Sequence, residues 1–302
     1  MLNRKTNLFE NIIRKMGMMT AVIFSLALPA YGSEVEPASS ESDAVPQETL
    51  INTAADKYAA LLDQYVNDEG MVAYESLKSN RQALDQYNSS LAGLDPQTYE
   101  GWSNDRKIAF WINVYNALTL KTIINHYPIE SGGFISGLRF PDNSIRQIPG
   151  VWEEITHPVM GKSMTLDQIE HEVLRKDFEE PRIHMALVCA AMGCPPLRGE
   201  PYTGERLDPQ LEDQTRQFLN NPAKFRIDRE GDAVYLSSIF DWFGSDFETK
   251  YQTQDFQHAP SDVRPVLEFV ARHLNERDED YLRNENYRIE FLDYDWSLNE
   301  QS

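Results

Sequence analysis

The sequence IAFWINVYNAL, residues 108–118, decides the fold of this chain. Apolar side chains occupy nearly every position of this stretch, so they would cover the whole circumference of a helix. A helix that is apolar on all sides is buried inside a protein. We therefore predict a central helix over residues 104–125, with the other elements packed around it.

The rest of the chain shows helical spacing in shorter segments, with few strands between them. One hairpin is clear, in which residues 224–228 and 233–237 flank a turn that contains Gly. No strand–helix–strand unit repeats, so a parallel α/β sheet is not expected. We predict an α+β fold, namely a mainly helical single domain with a small, mostly antiparallel sheet. Further helices are expected at residues 50–66, 81–91, 166–175, 209–220, 239–247 and 262–274, and a final strand at 287–292.

The N-terminal residues differ in composition from the rest. Residues 1–32 contain basic side chains followed by an apolar run at positions 18–28. This run is too short to span a bilayer, so it predicts a cleaved signal peptide and a periplasmic or secreted protein without a stable membrane anchor. Glu, Ser, Pro and Ala dominate residues 33–48, which predicts a flexible acidic linker. A single globular domain is expected over residues 49–302.

The chain is strongly acidic, with 28 Lys and Arg against 48 Asp and Glu and a formal net charge of −20. A field of this sign repels nucleic acid and anionic lipid, so we expect no nucleic-acid partner. The charge does not identify a substrate. The expected partner is a small molecule or a peptide of unknown identity, and no cofactor is expected.

Both cysteines of the chain, Cys189 and Cys194, lie in the stretch RIHMALVCAAMGCPPLR, residues 182–198. The apolar residues before Cys189 predict a buried strand that ends in a loop rich in Gly and Pro. Thiolates are reactive near neutral pH, and strand ends often carry the reactive groups of α/β proteins. Pro195 suits the first position of a helix, which would leave Cys194 at an N-cap where backbone N–H groups stabilise a thiolate.

The cysteine pair permits three interpretations. A disulfide could close the short loop, since an exported protein meets an oxidising environment. A free thiol could instead act as a nucleophile. A metal site is disfavoured, because the Cys-x4-Cys spacing is not accompanied by a second pair of Cys or His ligands. We expect no metal.

Thr165 and Gln168 predict a capping box that opens the helix over residues 166–175. This helix places an acid among apolar side chains. On a helical wheel Glu170 falls inside the apolar arc, and His171 lies at the edge of the same face. A buried carboxylate must be paired or have a raised pKa, so Glu170 is a candidate site residue. We expect Arg198, which follows the cysteine loop, to be its partner. The alternative is a purely structural pair of Glu and Arg.

Other polar residues in apolar surroundings are candidates for binding or orienting roles. Asn113 and Asn116 are three positions apart on the central helix, so their amides point to nearly the same side. They could line a polar cavity, donate to an oxyanion or, as we favour, bond to loop backbone. Asp241 stands among aromatic residues, either as an N-cap or as a site residue.

The predicted strand also bears on the choice of a base. Strand alternation places His184 and Cys189 on opposite faces, so the two side chains could not pair directly. His184 is therefore a candidate for binding or orientation. His171 is the better candidate for the base of a thiol dyad, although only the fold could bring it to a cysteine.

Four motifs, in order, resemble a known family. They are WINVYNAL at 111–118, IEHEVLR at 169–175, the run from His184 to Arg198, and YDWSLN at 294–299. Together they resemble the family called domain of unknown function 547, over residues 107–299. The resemblance implies no settled activity. Bacterial members look like exported single-domain proteins, and some plant members are fused to glutaredoxin-like modules, which favours thiol chemistry slightly.

We expect an exported thiol-dependent enzyme, either a hydrolase or an acyl transferase. In this hypothesis Cys189 or Cys194 is the nucleophile, His171 is the base, and Glu170 is the carboxylate that orients the base. Two alternatives belong to other classes. One is a non-catalytic binding domain with a structural disulfide and a buried polar network. The other is a thiol–disulfide exchange protein.

Overall fold

Helices dominate the computed structural model, which describes residues 47–130 and 139–301. These residues belong to one compact unit with two small sheets, and the predicted α+β class is confirmed. The predicted signal peptide and nearly all of the predicted linker lie outside the described residues. None of the described helices is long and apolar enough to cross a membrane. The α-helices are α1 (Gln47–Tyr65), α2 (Tyr74–Ser79), α3 (Gln82–Ala92), α4 (Pro96–Glu100), α5 (Asn104–His126), α6 (Arg175–Asp177), α7 (Leu207–Asn220), α8 (Ser238–Phe243), α9 (Glu248–Tyr251), α10 (Arg264–Arg272) and α11 (Glu276–Asn284).

The central helix, α5, begins where the sequence predicts and ends within one residue of that prediction. The Ser103 side chain accepts a hydrogen bond from the Arg106 N–H at 3.3 Å, which caps the first turn. Nearly every side chain over residues 108–124 is buried, in one of the two apolar clusters of the described chain. The prediction from the apolar circumference is confirmed. It also places Tyr115 and Asn116 inside the fold.

The two sheets come from different parts of the chain. The strands are β1 (Thr156–Val159), β2 (Lys162–Thr165), β3 (Phe225–Asp228), β4 (Ala233–Ser237) and β5 (Arg288–Leu292). β3 and β4 form the predicted antiparallel hairpin, and β5 adds to β4 in parallel. β1 and β2 form a second antiparallel hairpin that the sequence analysis does not predict. Its turn puts Met160 and Gly161 at positive φ, and Met is not a residue by which such a turn is recognised.

The predicted strand before Cys189 is wrong. Residues 181–185 form a 3₁₀ helix instead, which opens with a proline and is capped by the Glu180 carboxylate. The backbone that follows is held by a side chain rather than by a neighbouring strand. Asn116 donates to the Ala186 carbonyl at 3.0 Å and accepts from the Val188 N–H at 2.9 Å. These apolar residues are buried because of the central helix, and no sheet is involved.

The helix predicted to begin at Pro195 is also wrong. The chain from Pro195 to Glu200 is irregular, so Cys194 is not at a helix N-terminus. Backbone bonds to the end of the chain define this region instead. We call residues 189–194 the disulfide loop and residues 293–301 the C-terminal segment.

The C-terminal segment pairs with the disulfide loop through backbone hydrogen bonds. The Met192 N–H donates to the Ser297 carbonyl, and the Gly193 N–H donates to the Asp295 carbonyl, both at 2.7 Å. Further along, the Val72 N–H donates to the Asn299 carbonyl at 2.9 Å. The same segment therefore ties the disulfide loop to the chain that follows α1.

Gly70 provides a test of how closely the chain around residue 70 packs against the chain that follows the disulfide loop. Its φ is +75°, and a Cβ there would lie 2.5 Å from the Pro196 Cβ and 2.6 Å from the Leu197 nitrogen. Gly161 has a similar φ of +72°, but nothing lies within 4 Å of its Cβ position. We expect Gly70→Ala to lower the free energy of unfolding by about 3 kcal/mol and Gly161→Ala by about 1 kcal/mol, because only the first adds a clash to the backbone strain.

Urea unfolding of the two variants measures this difference. Gly161→Ala is the control for the strain of positive φ alone. Equal losses in the free energy of unfolding of the two variants would show that the chain at Pro196 moves freely and does not pack on Gly70.

Candidate functional site

The two cysteines are joined in a disulfide, with their Cα atoms 6.1 Å apart. Of the interpretations left open by the sequence, the structure shows the closed pair. Cys194 is only 4 % exposed, whereas Cys189 is partly exposed. In this state neither sulfur is a thiolate, and Cys189 is the more exposed of the two cysteines.

Tyr294 brings its hydroxyl to both sulfurs. The hydroxyl donates to Cys194 Sγ at 3.1 Å and lies 3.1 Å from Cys189 Sγ. The Cys189 N–H also donates to Cys194 Sγ, at 2.9 Å. Gly193 makes this approach possible, since a Cβ at that position would lie 2.6 Å from the Tyr294 ring. Cys194 Sγ thus receives two hydrogen bonds, as a sulfur does where negative charge is to develop.

Glu170 lies close to this tyrosine, on a helix that differs from the predicted one. The predicted capping box is confirmed, because Thr165 and Gln168 exchange hydrogen bonds at 3.0 and 3.1 Å. The helix from Gln168 to Leu174 is a π-helix, in which the Arg175 N–H reaches the Glu170 carbonyl five residues back. The wheel of 100° per residue does not describe such a helix, and Glu170 is half-buried rather than enclosed.

The Glu170 carboxylate lies near a tyrosine of the central helix. The Tyr115 hydroxyl interacts with Glu170 and with the Trp152 indole. Burial, and next the charge of Glu170, raise the pKa of Tyr115 well above its usual value. Burial and then Glu170 raise the pKa of Tyr294 in the same way. Both hydroxyls therefore keep their protons and act as donors.

The predicted partner of Glu170 is wrong. Arg198 bonds to Glu200, on the loop before α7, at 2.8 Å, and to Asp213, on α7 itself, at 2.5 Å. The charges of Glu170 and Arg175 act on each other through space, and Arg175 directly follows the π-helix. Arg198 is the expected partner because it follows the cysteine loop, but carboxylates nearer to it along the chain and on α7 bind its guanidinium instead.

The predicted base, His171, contacts charged groups rather than sulfur. Its Nδ1 lies 2.6 Å from an Arg175 nitrogen, and its Nε2 lies 3.4 Å from Asp167. No hydrogen bond joins a histidine to either sulfur within the described ranges. Its role in catalysis stays a prediction.

His184 belongs to a half-buried charge network. Arg175 donates two hydrogen bonds to Asp246, at 2.6 and 2.7 Å, and His184 Nε2 lies 2.8 Å from the same carboxylate. Burial opposes ionisation of Asp246, but the hydrogen bonds from Arg175 and then His184 outweigh it and hold the pKa of Asp246 well below its usual range. Phe243 stacks on His184 with ring centroids 4.2 Å apart. This network fixes the position of α8.

The two asparagines of the central helix hold loop backbone, which is the role we favoured. Besides the two bonds from Asn116 described above, Asn113 donates to the Tyr202 carbonyl at 2.8 Å and accepts from the Tyr202 N–H at 2.9 Å. Asp241 is exposed within α8, and its predicted N-cap role is wrong because Ser237 caps that helix. Its part in binding stays a prediction.

Two exposed apolar side chains lie in or near the disulfide loop. Met192 of the loop is 40 % exposed, and Trp242 of α8 is 46 % exposed. The Trp242 ring lies 4.8 Å from the Tyr294 ring and 6.1 Å from the Trp296 ring. Exposed aromatic surface therefore lies next to the tyrosine that contacts both sulfurs.

Several of these residues escaped the sequence analysis. Tyr115, Tyr294 and Trp296 all belong to motifs that carry the family resemblance, which is the one signal that pointed to them. Asp246 carries no such signal, because an acid on a short polar turn looks like a surface residue. Within the described residues no group of three or more His, Cys, Asp and Glu could hold a metal ion.

Comparison with known proteins gives one match. A family model described as "Protein of unknown function, DUF547" matches residues 99–219. This segment contains the central helix, the π-helix and the disulfide loop, whereas the YDWSLN motif lies beyond it. No curated protein and no solved structure matches the chain. The resemblance is confirmed over the matched segment, and the description gives no activity.

Lys224 provides a test of the packing beneath the disulfide loop. Its side chain is buried and donates to the Met192 carbonyl. Burial lowers the pKa of Lys224 from 10.5 to about 8, and Asp295 partly opposes this. Between these two values the unfolded chain binds more protons than the folded chain, so the free energy of unfolding rises with pH in that window.

We expect Lys224→Met to remove this rise. Between pH 7 and 9.5 the stability of the wild type should increase, relative to the variant, by on the order of 2 kcal/mol. Urea unfolding of both proteins at several pH values measures the difference. A difference that does not change with pH would mean that the ammonium is not buried beneath the loop.

Proposed function

We propose that the protein is an exported thiol–disulfide exchange protein whose redox pair is Cys189 and Cys194. One observation carries this proposal: two donors, the Tyr294 hydroxyl and the Cys189 N–H, point at Cys194 Sγ, while Cys189 is the more exposed sulfur. A purely structural disulfide needs neither feature. An exchange reaction needs both, because one sulfur is attacked and the other leaves as a thiolate.

The exchange proceeds in two steps. A substrate thiolate attacks Cys189 Sγ and forms a mixed disulfide between the substrate sulfur and Cys189. The bond between Cys189 and Cys194 breaks, and its electron pair stays on Cys194 Sγ. The hydrogen bonds from Tyr294 and from the Cys189 N–H stabilise that thiolate. A second substrate thiolate then attacks the substrate sulfur of the mixed disulfide and releases the Cys189 thiolate. Two substrate thiols are oxidised to a disulfide, and the protein disulfide is reduced to a dithiol.

The surroundings of the disulfide favour a peptide as the substrate. Met192 and Trp242 offer exposed apolar surface beside the more accessible sulfur. The N-terminal composition and the closed disulfide both support export, since disulfides persist in oxidising compartments. Reoxidation requires a partner disulfide, which the reverse of the same reaction uses.

The hydrolase or acyl transferase hypothesis stays a prediction. It requires a free thiolate next to a base, and in the oxidised pair neither sulfur is free. The geometry therefore supports exchange better. In the exchange reaction Glu170 acts on the hydroxyls of Tyr115 and Tyr294 and not on a histidine.

The role of Tyr294 provides the test. We expect Tyr294→Phe to slow reduction of the disulfide by dithiothreitol about tenfold, because one hydrogen bond to the departing thiolate is lost. Tyr281→Phe is the matched control, since the Tyr281 hydroxyl is buried and makes no hydrogen bond within the described residues. Stopped-flow kinetics with a thiol-reactive dye measures both rates.

A second experiment, on two cysteine variants, identifies the attacked sulfur. In Cys194→Ser the remaining Cys189 thiol should form a mixed disulfide with an oxidised cysteine peptide at least about tenfold faster than the Cys194 thiol of Cys189→Ser, because Cys194 is buried. A wild-type disulfide that resists dithiothreitol in the folded state, or equal rates in the tyrosine variants, would contradict the proposed exchange.

A further inference from the structure

Arg146 lies in a frame of aromatic rings next to the proposed redox site. It follows Ser144, whose side chain caps the 3₁₀ helix of residues 145–147. The guanidinium carbon lies 4.7 Å from the Phe140 ring centroid, 5.4 Å from that of Trp152 and 5.0 Å from that of Trp296. The side chain is partly buried. Aromatic faces hold a guanidinium in place without occupying its N–H groups.

The guanidinium of Arg146 makes no ion pair and no hydrogen bond within the described residues, although its backbone N–H bonds to Ser144. This is unusual here, because Arg175 and Arg198 each bind carboxylates at short distance. Burial lowers the pKa of Arg146. The negative charge of the exposed Glu153 raises this pKa in part, and the positive charge of Arg139 lowers it further. Arg139 also lies over Phe140, at 5.4 Å. Two cations therefore meet at one ring in a chain of net charge −20.

The frame connects directly to the disulfide. The Trp296 ring contacts the guanidinium of Arg146 on one side and lies 4.6 Å from the Tyr294 ring on the other. The Tyr294 hydroxyl in turn reaches both sulfurs. A molecule that touches Arg146 and Cys189 would thus lie across Trp296.

We infer that Arg146, framed by Phe140, Trp152 and Trp296, binds a carboxylate of the peptide whose cysteine reacts at Cys189. A guanidinium presents parallel N–H groups that match the two oxygens of a carboxylate. The rings exclude water around the pair, which strengthens it. The inference rests on the proposed function for its substrate, and it names that substrate as an acidic cysteine peptide.

The test separates carboxylate binding from thiol chemistry. The first measurement uses two peptides without a thiol, acetyl-Ser-Gly-Glu-amide and acetyl-Ser-Gly-Gln-amide, which differ only in one charge. Quenching of tryptophan fluorescence reports their binding to the oxidised protein. We expect the Glu peptide to bind about tenfold more tightly than the Gln peptide, and Arg146→Met to abolish the difference.

Two further variants complete the design. Arg226→Met is the matched control, because Arg226 is exposed and lies over the Tyr235 ring at 4.0 Å, on a different strand; it should bind both peptides as the wild type does. Arg146→Lys keeps the positive charge but removes the parallel N–H groups of the guanidinium. We expect this variant to retain a few-fold preference for the Glu peptide. This variant decides the matter if Arg146→Met does not fold.

The second measurement uses the same Glu and Gln peptides with Cys in place of Ser. It follows thiol–disulfide exchange between each peptide and the protein. A preference for the Glu peptide in binding but no exchange would contradict the proposed function and leave the carboxylate site standing. Equal binding of the Glu and Gln peptides by the wild type, or a preference that survives in Arg146→Met, would overturn the inference about Arg146.

Discussion

Backbone pairing between the C-terminal segment and the disulfide loop is the constraint on which the rest of the site depends. The N–H groups of Met192 and Gly193 both donate to this segment, at 2.7 Å. That pairing brings Tyr294 over the two sulfurs, and the absence of a side chain at Gly193 lets the ring come close. Without it, the disulfide loop would close on itself with no donor above Cys194 except the backbone.

Two further sets of interactions hold the site in place. One comes from the central helix and the other is an ion pair. The central helix supplies Asn116, which holds the backbone that leads into Cys189, and Tyr115, whose buried hydroxyl interacts with the charge of Glu170. The ion pair of Arg175 with Asp246 joins the π-helix to the turn after α8. A half-buried pair of this kind costs desolvation energy, so it specifies an arrangement more than it adds stability. Its consequence here is that α8 presents Trp242 beside Tyr294.

Local patterns in the sequence predict much of the fold. The buried central helix, the hairpin of β3 and β4 and the capping box at Thr165 all follow from neighbouring residues, and all are confirmed. The strand before Cys189 fails because a run of apolar residues indicates burial without saying what covers it. In the structure Asn116 replaces the neighbouring strand as the hydrogen-bonding partner.

The site is harder to predict because its parts are far apart in the sequence. Cys189 and Tyr294 are separated by 105 positions, and no local pattern records their contact. Glu170 is a candidate because an acid among apolar residues stands out in the sequence, but its predicted partner is wrong because proximity to the cysteine loop does not show that Glu200 and Asp213 bind Arg198. Arg146 is not singled out by a local pattern, since Phe140 and Trp152 lie at no spacing from it that brings side chains together on a helix or strand, and Trp296 comes from the C-terminal segment.

The central claim is that the disulfide is a reactive group placed on a fold that does not need it. Hydrogen exchange of the oxidised and the reduced protein, measured amide by amide, tests this most directly. The account predicts that reduction speeds exchange at Met192, Gly193 and Asn299, while the amides of α5 keep their protection. Loss of protection throughout α5 on reduction would show that the disulfide holds the fold together, and would contradict the account.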